Sequence, residues 1–215
     1  MLELRDVHKT YETDKGKRHV LKGVTATFQK GDAVGILGRN GAGKSTLMRI
    51  IGGVDHPTSG TIRRRMSVSW PLGFGGAVHP LLTGADNCRF IARIYDRPLD
   101  WVTGFVQEFA ELGDYFHLPV KTYSSGMETR LAFALSLAVD FDCYLVDEVV
   151  AVGDHRFAQR CREALLERRG RSTLLLVSHQ PDIVRSLCTS AATLDQGRLT
   201  FHEDLDQAVA AYHAL

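Results

Sequence analysis

The run Val34-Gly35-Ile36-Leu37-Gly38-Arg39-Asn40-Gly41-Ala42-Gly43-Lys44-Ser45-Thr46-Leu47-Met48-Arg49-Ile50-Ile51 decides how this chain is read. Val34 to Leu37 is apolar without alternation, as expected of a strand buried on both faces. A glycine-rich loop follows, and from about Lys44 to Ile51 the text is helical. Between that strand and that helix, Gly38 to Ser45 fits the pattern GxxxxGK[ST]. Glycines at these places let main-chain N–H groups curl around a chain of phosphates, and the helix N-terminus adds positive potential. Lys44 is placed to neutralise the outer phosphates, and the Ser45 hydroxyl to bind Mg²⁺. Gly38, Arg39, Asn40, Gly41, Ala42, Gly43, Lys44, Ser45 and Thr46 are the candidate triphosphate-binding residues.

Such a loop needs a second Mg²⁺ anchor at the end of another core strand. Cys143-Tyr144-Leu145-Val146 delivers Asp147 to that edge, where ligands of open parallel sheets bind. Glu148 follows at once. A second carboxylate is not needed to hold the metal, so it is read as orienting or deprotonating an attacking water, which implies hydrolysis rather than binding alone. The run Thr173-Leu174-Leu175-Leu176-Val177 is a further buried strand, and His179 just beyond it is a candidate sensor of the terminal phosphate. Helical text after these strands, at His155 to Arg168 and Asp182 to Leu187, completes an α/β pattern with a mainly parallel sheet.

Outside that core, Leu2 to Val7 and Val20 to Phe28 read as strands joined by a polar turn at Glu12 to Arg18. Tyr11 is a candidate for stacking on a nucleotide base. The basic run Arg63-Arg64-Arg65 reads as a solvated strand end. From about Gly84 to Leu137 the text is helix after helix, an insertion into the α/β core. With 26 basic residues against 25 acidic, the balance gives no reason to expect nucleic acid as the partner. The four cysteines are far apart and include no CxxC pair, which argues against a zinc site or a disulfide framework. No apolar run approaches the ~20 residues of a membrane span, so a soluble chain in a reducing compartment is expected.

Tyr123-Ser124-Ser125-Gly126-Met127 opens a helix whose apolar face is expected to be Met127, Leu131, Ala134, Leu135 and Ala138. Hydroxyls and a glycine there make a good N-cap, and equally a site for an anion. The order of phosphate loop, serine-glycine helix start, hydrophobic strand ending Asp147-Glu148 and strand-end His179 resembles the ATP-binding cassette (ABC) ATPases across the whole chain. The family's usual pentapeptide is LSGGQ; Ser124 and Gly126 match it, while Tyr123, Ser125 and Met127 depart. The resemblance implies ATP and Mg²⁺ as ligands, and a RecA-like P-loop core with an N-terminal antiparallel β subdomain. It also implies a helical subdomain at about 85–137, the core being about 1–84 and 138–215. Asp154, in Ala151-Val152-Gly153-Asp154, matches the family's D-loop aspartate. A head-to-tail homodimer is implied, in which Ser124, Ser125 and Gly126 of one copy face ATP on the P-loop of the other.

The family has a glutamine between the core and the helical insertion, and Ser69 to Asn87 occupies that place without one. SWPLGFGG, LTGADN and FIARIY together with YSSGM resemble the ATPases of capsule polysaccharide exporters, whose relatives export O-antigen or teichoic acid. The chain ends about 35 residues after His179, too early for their added C-terminal carbohydrate-binding domain. On this resemblance the chain works at the cytoplasmic face of the bacterial inner membrane, attached through an integral permease that conducts the polysaccharide. Trp70, Leu72 and Phe74 are expected to be apolar anchors for that permease. The alternatives are an O-antigen or teichoic-acid exporter, or a soluble ABC ATPase acting on DNA or ribosomes.

Overall fold

The computed structural model describes residues 1–14, 16–72, 78–147 and 155–215. Its strands are β1 (Leu2–Thr13), β2 (Gly16–Phe28), β3 (Ala33–Leu37), β4 (Ser59–Arg64), β5 (Val68–Leu72), β6 (Cys143–Asp147), β7 (Thr173–Ser178), β8 (Ser190–Asp195) and β9 (Arg198–Phe201). The helices are α1 (Lys44–Ile51), α2 (Gly84–Ile94), α3 (Leu99–Ala110), α4 (Ser125–Leu137), α5 (His155–Arg168), α6 (Pro181–Leu187) and α7 (Leu205–His213). Two compact units result, one of Met1–Pro71, Phe141–Glu148 and Leu165–Leu215, the other of Leu72–Asp140 and Val149–Ala164.

The first unit holds both sheets. One is antiparallel, in the order β2-β1-β4; the other runs β5-β6-β7-β3-β8-β9. In the second sheet β6, β7, β3 and β8 are mutually parallel, and β9 returns antiparallel to β8. Every residue of β3 and β7 is buried, which is why their sequences lack polar alternation. Tyr144 is the largest fully buried side chain. Its hydroxyl accepts from the Phe141 N–H and from Arg168 Nε, so a polar tip is satisfied inside an apolar layer.

Three local expectations are corrected here. The expected polar turn at Glu12 to Arg18 is mostly strand: β1 runs to Thr13 and β2 starts at Gly16, with Tyr11 opposite Arg18 and Thr13 opposite Gly16. Cross-strand hydrogen bonding sustains the polar residues in a ribbon that composition alone marks as turn. Arg64 is exposed like its neighbours but is more than a solvated strand end, since its guanidinium donates to the carbonyls of Ile51 and Ile50 at 2.7 and 2.6 Å. Those are carbonyls at the C-terminus of α1, where a cation is favoured; Arg63 and Arg65 are exposed.

The third correction falls on the expected permease anchors. Trp70 and Leu72 belong to β5; Leu72 is fully buried, and Trp70 packs edge-on against Phe141 with centroids 5.4 Å apart. Ser69 is also fully buried, its Oγ accepting from the Leu145 N–H at 3.0 Å and donating to the Trp70 carbonyl. Ser69 and Leu72 are committed to packing within their own chain, and Trp70 is half-buried. Phe74 lies outside the described residues.

The second unit is helical. Trp101, Phe105, Phe109 and Phe133 stack in series at centroid spacings of 5.5, 5.6 and 6.1 Å, running from an exposed indole to a fully buried ring. From Leu131 to Leu137 every residue of α4 is buried. The C-terminal half of the helix is therefore buried all round rather than along the single apolar face expected, while Ser125 to Arg130 are exposed or half-buried. Burial holds the thiols of Cys88, Cys143, Cys161 and Cys188 up at about 12, so none is primed as a nucleophile or metal ligand. Among the described residues no helix is long and apolar enough to cross a membrane.

Candidate functional site

The loop from Gly38 to Gly43 leaves β3 and enters α1, as the sequence predicts. Gly43 caps the helix at φ 109°, a left-handed geometry costly for any residue with a Cβ. Gly38 is demanded by space: a Cβ there would lie 2.5 Å from the Leu194 carbonyl oxygen. Lys44 is only 6% exposed, and its Nζ donates to the carbonyls of Gly38 and Arg39 at 2.7 and 3.3 Å. An ammonium is thus held inside the concave loop at the first turn of a helix, where an anion is doubly favoured. Ser45 beside it is exposed, while Thr46 is buried.

A cavity of about 430 Å³ opens over this loop, lined by Tyr11, Thr13, Arg18, Val20, Asn40, Gly41, Gly43, Lys44, Ser45 and Thr46. Tyr11 is fixed by its rim contacts. Its hydroxyl donates to Asp55 Oδ2 at 2.7 Å and accepts from Arg49 Nη2 at 3.0 Å, and Lys9 Nζ lies 4.8 Å from its ring centroid. Burial alone would raise the Asp55 pKa. Hydrogen bonds from Lys9, Tyr11 and the His56 N–H outweigh that and hold it at about 2. The carboxylate stays charged and keeps the tyrosine in place. Thr13, Arg18 and Val20 are lining residues that reading the sequence missed. The signal was the strand pairing that sets Arg18 opposite Tyr11, hidden once the segment is taken as a turn.

Sheet register brings the strand-end groups to the same edge. Asp147 is level with Val177 on β7, and Val177 with Ile36 on β3, just before the loop. The Asp147 and Ile36 main chains are thus two strand spacings apart, roughly 10 Å. Asp147 is half-buried and His179 exposed, one residue past the end of β7. The Ser45 hydroxyl and Asp147 carboxylate are hard oxygen donors, the type a small divalent cation takes with most of its shell left to water and phosphate. Glu148 and Asp154 lie outside the described residues, as do Ala151, Val152 and Gly153.

In the other unit Ser124 is the N-cap of α4, its Oγ accepting from the Met127 N–H at 3.2 Å. Ser124 and Ser125 are exposed and Gly126 half-buried. Tyr123, the departure at the head of the pentapeptide, donates its hydroxyl to the Tyr115 carbonyl at 2.7 Å and meets the Tyr115 ring edge-on. It fastens the start of α4 to the 3-10 turn at Gly113–His117, a task an aliphatic residue performs only by packing.

The sequence profile of the ABC transporter family matches residues 21–151. This chain belongs to that family. It is similar to the ATP-binding protein BexA of Haemophilus influenzae, at 55% identity over 99% of this chain and 98% of that one. To the capsule polysaccharide export ATP-binding protein CtrD of Neisseria meningitidis serogroup B it is 53% identical over the full length of both. Its fold is that of the ATP-binding cassette MJ0796, solved as a dimer in a post-hydrolysis state with ADP and Pi. The TM-score is 0.83 at 24% identity, covering 95% of this chain and 99% of that one. The chain is accordingly an ATP-binding cassette, with an N-terminal antiparallel sheet beside a mainly parallel one.

Proposed function

We propose that this chain is the ATP-hydrolysing subunit of an inner-membrane ABC transporter that exports capsular polysaccharide. The observation that carries the reading is identity above one half, along the whole chain, to a protein named for capsule polysaccharide export. ATP lies along Gly38 to Thr46 with its base toward Tyr11, in the cavity lined by Tyr11, Asn40, Gly41 and Gly43 to Thr46. Ser45 and Asp147 would hold Mg²⁺, which would supply positive charge to offset that of the phosphates. Lys44 offsets charge on the outer phosphates, Glu148 orients or deprotonates the attacking water, and His179 contacts the terminal phosphate.

Two copies work head to tail, each supplying Ser124, Ser125, Gly126 and Asp154 to the ATP held by the other. ATP favours the closed pair because only there do both copies contact it, and that difference in affinity is what can do work on a permease. The core at about 1–84 and 138–215 carries the nucleotide, and the helical subdomain at about 85–137 carries the serine-glycine helix. The chain sits at the cytoplasmic face of the membrane through its permease. Since Leu72 is buried and Trp70 half-buried, support for a docking surface near Ser69–Asn87 comes from Leu81 and the neighbouring α2. There Leu81 is 65% exposed and Phe90 and Ile94 each 55%. Phe90 and Ile94 are one helical turn apart, so they present a continuous apolar face.

The test pairs a variant with a purification. In Glu148→Gln, ATP turnover is expected to fall to near zero while ATP binding persists and ATP holds the chain as a dimer; full turnover would remove Glu148 from its role. Affinity purification from native membranes is expected to recover an integral membrane subunit encoded with capsule genes. Recovery of ribosomes or DNA instead would overturn the transport reading.

A further inference from the structure

The last helix reaches two segments from which the nucleotide site is built. Helix α7 is capped by Asp204, whose carboxylate accepts from the Gln207 N–H at 2.8 Å, and it is anchored by buried Ala208 and Val209. Tyr212, near its end, donates its hydroxyl to the main-chain carbonyl of His179 at 3.0 Å. Three residues on, the Leu215 carbonyl accepts from Arg39 Nη1, also at 3.0 Å. One short stretch therefore contacts both the phosphate loop after β3 and the histidine after β7, strands that are neighbours in the sheet.

The link between β7 and α6 is two residues, His179 and Gln180. On one side the buried Ser178 Oγ accepts from the Gln180 N–H at 2.9 Å. On the other, Pro181 opens α6, and a proline holds the residue before it extended; Gln180 has φ −111° and ψ 107°. The peptide joining His179 to Gln180 sets where the imidazole stands relative to α6, and Tyr212 grips that peptide by its oxygen. We infer that Tyr212 is a positioning residue, holding the His179 main chain so that the imidazole meets the terminal phosphate. The inference rests on the role given to His179 above. Tyr212 touches neither nucleotide nor metal in this scheme; it acts through His179 alone.

Tyr212→Phe keeps the ring and deletes the donor. Steady-state ATPase of the full chain is measured for Tyr212→Phe, His179→Ala and the double variant, with thermal unfolding of each. Losing one neutral hydrogen bond that matters only in the reacting state lowers kcat roughly 3- to 10-fold and leaves KM for ATP within about twofold. In the His179→Ala background the same substitution is expected to change nothing further, the mark of two groups acting as one. Wild-type kcat in Tyr212→Phe overturns the inference, and so does an equal loss in both backgrounds, which assigns Tyr212 to general stability. Wild-type kcat in His179→Ala removes the assigned role of His179 and this inference together. An impaired His179→Ala with an additive Tyr212→Phe penalty leaves that role standing and removes the inference alone.

Discussion

Replacing Gly38 by alanine tests the phosphate loop where its geometry is tightest. The added Cβ would lie 2.5 Å from the Leu194 carbonyl oxygen, and real Cβ atoms keep at least ~3 Å from such an oxygen, so something must move by roughly 0.5–1 Å. Leu194 is fully buried in β8, between β3 and β9, so the carbonyl is held by its sheet. The loop is the part that yields. It carries the Gly38 carbonyl on which Lys44 Nζ sits at 2.7 Å, and the ammonium shifts with it. Overpacking of this kind costs about 1–3 kcal/mol. Taken up wholly by the loop, that is an ATP affinity weaker by about 5- to 150-fold. The assay is equilibrium titration with ATP and Mg²⁺, with thermal unfolding in parallel to separate lost affinity from lost stability. Gly41→Ala is the control: a Cβ there meets nothing within 4 Å, and only its φ of +84° resists. About 1 kcal/mol of backbone strain, or about fivefold in affinity, is expected for it. A Gly38→Ala chain that binds ATP within about twofold of wild type, with unchanged unfolding, would refute the reasoning.

Two further perturbations follow from buried and charged groups in the same unit. Ser69→Ala strips the partner from the Leu145 N–H inside the sheet, so about 1–3 kcal/mol of stability should be lost. Urea unfolding would then show a lower midpoint at an unchanged slope; an unchanged midpoint would contradict it. Asp142 is held at about 2 by hydrogen bonds from Lys30 and from the Ser67 N–H and hydroxyl, as Asp55 is by its own partners. Both values lie below the ordinary 3.8, so folding favours the charged forms. Their stabilisation is whole above about pH 4 and is lost as pH falls through about 2. Both carboxylates are partly solvated, so about 1 kcal/mol each is expected after screening. Thermal midpoints between pH 2 and 6 should fall on the acid side, and less steeply in Asp142→Asn; an equal acid slope in both would count against it.

Much of the layout of the candidate site was legible because its parts announce themselves locally. A loop of glycines ending in Lys44-Ser45, between an unalternating strand and a helix, has few other readings. Asp147 and His179 follow strands of the same kind, and parallel register then brings them to one edge. The stretch from Ser69 was misread for a physical reason. Its proline and its serine both argue against a strand, yet β5 lies at the sheet margin, where a residue without an N–H is tolerated. Ser69 is polar and still fully buried because a neighbouring strand needs its oxygen. Neither fact has a signature within five residues. Arg18 was missed similarly: its place at the cavity comes from pairing with Tyr11 across a hairpin, a long-range fact written into polar residues.

Ser124 shows why two readings of one residue need not compete. Sequence offers it as an N-cap or as an anion ligand, and the structure makes it an N-cap, with the Met127 N–H on its oxygen. A hydroxyl has two acceptor lone pairs and one hydrogen, so accepting that N–H does not consume its O–H. The cap fixes the oxygen at the helix start, and a fixed oxygen can donate to an arriving phosphate with little rotamer freedom left to lose. An alanine there would remove cap and donor at once, confounding stability with ATP-driven pairing. Asn or Asp would each preserve a cap, and differ in what they offer a phosphate: a side-chain N–H from one, a second negative charge from the other. Ser124→Asn should therefore retain more ATP-induced dimer than Ser124→Asp at equal thermal stability, measured by sizing chromatography in the Glu148→Gln background. Equal pairing in the two would leave Ser124 as a cap and nothing more.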